Sequence, residues 1–127
     1  MSLDSADALA SVDQLAHHAA GGSDAAAVIE LVPIAARRAS RVGGHREATA
    51  HLATGLRFIE GASAITEAEL NEAWAYEACL VLQTGDDVVA ACERAIELWR
   101  ELGRTEKVGE NLRWLSRLHW YLSLIHI

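Results

Sequence analysis

An all-α protein is what this sequence predicts, on three observations: 24 alanines in 127 residues, one proline, and apolar side chains recurring at helical spacing between glycine pairs. Alanine loses the least entropy in a helix, and glycine supplies the left-handed stop at a helix end without steric cost. Together these signals predict six helices, near 5–20, 24–42, 45–60, 66–83, 86–102 and 105–121. The first ends at Gly21-Gly22, and Ser23 caps the second. In the second, Ala25, Val28, Ile29, Val32 and Ala36 share an apolar face, and Arg37, Arg38 and Arg41 complement the negative end of the helix dipole. Pro33 removes a backbone donor inside that helix and predicts a kink or break. Gly43-Gly44 closes it, and the third helix, from His45, stops before Gly61-Ala62-Ser63. A capping box is expected at Thr66-Glu67-Ala68-Glu69, with Thr66 and Glu69 each satisfying the other's backbone N–H. Gly85-Asp86 turns the chain into the fifth helix, which ends at Gly103, and Thr105 opens the sixth. Such short connections predict antiparallel hairpins, the second helix pairing with the third and the fourth with the fifth.

Eleven Lys+Arg against 18 Asp+Glu give a formal charge of −7, which lacks the basic footprint of nucleic-acid binding. No apolar run reaches the roughly 20 residues that span a bilayer, and the N-terminus lacks the basic start of a signal peptide, so no membrane role is expected. Cys79 and Cys92 form no CxxC pair and read as small, reduced core residues, which points to the cytoplasm.

A repeat decides the expected architecture. Trp74 and Trp114 lie 40 residues apart, as do Asn71 and Asn111, and Gly55-Leu56-Arg57-Phe58 falls on Ala95-Ile96-Glu97-Leu98 in the same register. A two-helix period near 40 is the mark of an α-solenoid, here a right-handed stack of hairpins. Gly55 and Ala95 would let paired helices approach closely. The pattern resembles the tetratricopeptide repeat (TPR), with two departures: the period exceeds the usual ~34 residues, and Glu77 and Arg117 stand where an apolar residue is normal. These two are also 40 residues apart, which allows an ion pair between successive first helices, against the plainer reading that both face solvent.

The stretches Leu15-Ala16-His17-His18-Ala19, Ala35-Ala36-Arg37-Arg38-Ala39, Gly44-His45-Arg46-Glu47-Ala48, Glu97 to Gly103 and Leu112 to Trp120 resemble the helical middle region of large ATP-binding LuxR-type transcriptional regulators of actinobacteria. The resemblance covers about residues 13–121. It implies a TPR-like sensor and coupling segment that takes up a protein or small-molecule effector, alongside an ATPase module and a helix-turn-helix domain in the same chain. No GxxxxGK[ST] motif occurs in this sequence. The resemblance carries over no catalytic, cofactor or metal residue, so the chain is not expected to be an enzyme. A free-standing TPR-like adaptor is the alternative. Residues 1–121 are expected to form a repeat segment truncated at both ends. Leu122-Ser123-Leu124-Ile125-His126-Ile127 matches the translation of a transposase mosaic end and is expected to be sequencing-adapter sequence. A truncated solenoid would leave an apolar face on the last helix, with Leu115, Leu118 and Tyr121 exposed, and favour self-association.

Other constellations are weaker. His17, His18, His45, Glu47 and His51 are the one group with metal-ligand chemistry, but the paired Glu-x-x-His motifs of a bundle metal centre are missing, and solvated or packing histidines are the favoured reading. Arg37, Arg38, Arg41 and Arg46 suggest an anion site, although most close a helix end where cations are favoured anyway. Trp74 and Trp114 read as structural, whereas Trp99, Trp120 and Tyr121 lie nearer helix ends, where truncation would expose them. Ser116 and His119 sit three apart on one helix without a third group to orient the histidine.

Overall fold

The computed structural model describes residues 25–83 and 85–125, and all regular structure among them is α-helical. The helices are α1 (Ala25–Arg41), α2 (His45–Arg57), α3 (Ala64–Leu80), α4 (Asp86–Glu101) and α5 (Thr105–Ile125). The helix expected at 5–20, with His17 and His18, lies outside the described residues. Among the described helices none is long and apolar enough to cross a membrane. The chain divides into two compact units, one holding α1 and α2, the other α3, α4 and α5.

In the first unit α1 packs on α2. The buried face of α1 is Val28, Val32, Ala35, Ala36 and Ala39, while Ile29, expected on that face, is half-buried. Pro33 does not break the helix. It forfeits a single backbone hydrogen bond, and the buried residues on either side hold the segment helical. Gly43, at φ +79°, closes α1: its N–H donates to the Ser40 carbonyl at 3.0 Å, and the Gly44 N–H donates to Ala39 at 2.8 Å. This is the paired hydrogen-bond pattern of a Schellman stop. Across the hairpin, Gly55 is buried, and a Cβ placed there would lie 2.9 Å from Val32 Cγ1. The close approach predicted for Gly55 is therefore real, and Val32 is what it approaches. α2 ends at Arg57, short of the expected 60, as the Phe58 N–H turns back to the Gly55 carbonyl.

The second unit starts earlier than expected. Ser63, not Thr66, caps α3: its Oγ accepts from the Thr66 backbone N–H at 3.2 Å, and its hydroxyl donates to Thr66 Oγ1 at 2.9 Å. A serine three residues ahead of Thr66 serves as cap equally well and adds Ala64 and Ile65 to the helix, so the Thr66–Glu69 box does not form. The far end of α3 also departs from expectation. It stops at Val81, with Leu82 at φ +63°; Leu82 N–H donates to Cys79 and Gln83 N–H to Ala78. Gly85 leads the chain into α4 at Asp86 as expected, extended as the helix N-cap. α4 closes in the same way as α1, with Gly103 at φ +71° and Arg104 N–H donating to the Trp99 carbonyl. α5 continues to Ile125 rather than 121, because Leu122-Ser123-Leu124-Ile125 contains neither glycine nor proline to end it.

α4 packs against both α3 and α5. One core cluster joins Ala75 and Ala78 of α3, Cys92 and Ile96 of α4, and Leu118 of α5, with Trp74 and Trp114 against it. A second gathers Ala68, Ala95, Leu98 and Trp99. Two expectations are corrected here. Trp99 is only 1% exposed, because the last turns of α4 are themselves core. Leu118 is buried and Leu115 half-buried on the first cluster, so of the three side chains expected to be open on α5 only Tyr121 is. Leu112, Trp120 and Leu124 are exposed instead.

Candidate functional site

The second unit carries an open groove of about 360 Å³ lined by Glu72, Ala73 and Tyr76 of α3 and Glu110, Asn111 and Trp114 of α5. Helical spacing builds it, because Glu72 and Tyr76 are one turn apart, as are Glu110 and Trp114, so each pair falls on one face. Polar contacts join the two helices. Glu72 Oε1 accepts from Asn111 Nδ2 at 2.7 Å, and Glu72 Oε2 accepts from Lys107 Nζ at 3.1 Å. Lys107 also lies 3.5 Å from Glu110. Burial disfavours the Lys107 ammonium, but the hydrogen bond and charge of Glu72, with Glu110, outweigh it and raise its pKa above the usual lysine value.

Asn111 is buried: Nδ2 also donates to the Lys107 carbonyl at 2.8 Å, and its backbone carbonyl accepts from Cys92 Sγ at 3.5 Å. Its counterpart Asn71 makes the equivalent bond to the Glu67 carbonyl at 2.9 Å. Cys92 is held as the thiol, with burial first and then Glu93 and Glu72 pushing its pKa up to about 11. Above the groove's polar edge, the rings of Tyr76 and Trp114 are 5.4 Å apart and tilted by 41°. The Trp114 Nε1 is buried without a hydrogen-bond partner.

Of the residues singled out in the sequence, Asn111 and Trp114 belong to this groove, as does Tyr76, one of the aromatics that could line a ligand pocket; Glu72 and Glu110 were missed. The Glu77–Arg117 pairing does not survive: Glu77 is buried, 7% exposed, while Arg117 is in solvent. The α3–α5 bridge is made five residues earlier, by Glu72. Trp74, Ala78, Trp114 and Leu118 share one packed cluster. His51 is buried and Glu47 exposed, and among the described residues no group of His, Cys, Asp and Glu is arranged to hold a metal ion. Arg37, Arg41 and Arg46 are exposed; Arg38 is half-buried, with its Nη1 lacking a hydrogen-bond partner. Ser116 and His119 are both exposed. Cys79 is half-buried rather than core. Comparison with family models, with curated proteins and with solved structures gives no match.

Proposed function

We propose that this chain is a TPR-like helical-repeat interaction segment, the sensor and coupling region of a LuxR-type ATP-dependent transcriptional regulator, and that it works in the cytoplasm by docking a partner in the groove between α3 and α5. The observation that carries the docking role is the groove itself: two helices in the 40-residue register present aromatic rings and carboxylates to an open concavity rather than closing over it. Support for repeat character comes from Asn71 and Asn111, which make the same side-chain bond one turn back on α3 and on α5, and from Trp74 and Trp114, which pack on a common core. The assignment to a LuxR-type regulator rests on the sequence resemblance. In that reading the ATPase and helix-turn-helix modules of the regulator do the nucleotide and DNA work, and this segment relays the bound effector to them.

Displayed random peptides test the docking role. Peptides selected by the chain should lose binding to an Ala73→Trp variant, whose indole fills the groove; equal binding to both forms contradicts it. The regulator assignment is tested by sequencing the DNA around the coding region. It predicts an in-frame P-loop motif upstream and a helix-turn-helix downstream, and in-frame stop codons on both sides would refute it.

A further inference from the structure

We infer that the groove between α3 and α5 recognises an arginine side chain presented by a protein partner. This rests on the docking reading above and adds the chemistry of the occupant. Charge is the first argument. The described lining holds two carboxylates, Glu72 and Glu110, and no cation, and the one ammonium that touches them, Lys107, answers only one of the two charges. Glu72 is consumed by Asn111 and Lys107, whereas the Glu110 side chain is 55% exposed and lies a longer 3.5 Å from Lys107, which leaves it free to accept from an incoming donor.

The rings are the second argument. Elsewhere this protein places its own cations over aromatic faces: Arg57 over Phe58 at 5.8 Å, and Arg104 and Lys107 over Trp99 at 5.4 and 5.3 Å. Trp114 faces Tyr76 instead, and Tyr76 is exposed. An aromatic face beside a half-exposed carboxylate with only a long contact to its own cation suits a guanidinium, which stacks flat on a ring while its edge donates to the carboxylate. Lysine offers a point charge without the planar fork. The size of the groove, near the lower end for binding pockets, fits one long side chain and the backbone on either side of it rather than a bulky cofactor.

Two capped peptides test this, Ac-Gly-Leu-Arg-Leu-Gly-amide and the same peptide with citrulline, which keeps the shape and removes the charge. Each is titrated into the full chain while the Trp114 indole signal, assigned with Trp114→Phe, and the Tyr76 ring signals are followed by NMR. The arginine peptide should shift both saturably and bind about tenfold more tightly than the citrulline peptide, a difference of roughly 1.4 kcal/mol. Glu110→Gln, a surface change that leaves the core intact, should weaken arginine binding about fivefold, within the range of an exposed charge-assisted contact. Glu101→Gln, an exposed acid outside the lining, should leave it unchanged. Equal affinity for both peptides would overturn the arginine assignment while leaving a docking groove. Equal loss in the Glu101 and Glu110 variants would reduce the effect to net charge, and absence of any shift at millimolar peptide would overturn the proposal outright.

Discussion

The hairpins α1–α2 and α3–α4 have similar lengths and the same kind of stop, yet they put their glycines in different places. The first uses Gly43 where the backbone turns left-handed and Gly55 where one helix meets the other. The second has Leu82 at the left-handed position and Ala95 at the contact. Their cores differ in the same sense. α1 buries valines and alanines, with Val32 against Gly55, whereas the clusters between α3 and α4 mix alanines with larger side chains, Ile96, Leu98 and Trp99 among them. The first helix of each hairpin thus stops with the same hydrogen-bond pattern, but a glycine takes the left-handed position in one and a leucine in the other.

The comparison is sharpened most by removing the largest buried side chain of the second unit. Trp99→Ala deletes a side chain that touches Ala68, Ala95 and Leu98, and should cost about 3–5 kcal/mol in urea unfolding. A loss below about 1 kcal/mol would mean that this part of the core is not packed as described.

A smaller effect of opposite design is expected in the first unit. Gly55→Ala gains about 1 kcal/mol of helix propensity but drives a methyl against Val32, which is fully buried and has nowhere to move. Overpacking of about 1–3 kcal/mol should prevail, for a net loss near 1 kcal/mol. A variant more stable than the parent would show that α1 and α2 are further apart than this account requires.

The mildest test concerns strain. Leu82 is 70% exposed, so its side chain contributes little packing, and its φ of +63° costs an L-residue about 1–2 kcal/mol that glycine avoids. Leu82→Gly should raise stability by about 0.5–1 kcal/mol after the greater unfolded-state entropy of glycine is deducted. A loss would mean that Leu82 packs in solution.

These contrasts also show where the sequence is readable. Helix number and pairing over residues 25–125 follow from alanine content and the glycine pairs, and the close approach expected at Gly55 is present. The stop at Leu82 is illegible because leucine carries no turn signal. Ser63 was passed over because Thr66 offers a competing cap three residues on. Glu72 was missed for a different reason. Register aligns equivalent residues, Glu77 with Arg117, but contacts between neighbouring helices depend on their relative rotation and shift, which placed Glu72 against Asn111 and Lys107.

The central claim is that side chains of α3 and α5 meet across an open groove, tied by Glu72. A double-mutant cycle on Glu72→Ala and Asn111→Ala, read by urea denaturation of the full chain, tests it most directly. Because the bond runs from a buried amide to a carboxylate at 2.7 Å, the account predicts a coupling energy of about 1–2 kcal/mol. Coupling indistinguishable from zero, with each single substitution acting alone, would mean that the two helices do not meet at this point, and would contradict the groove.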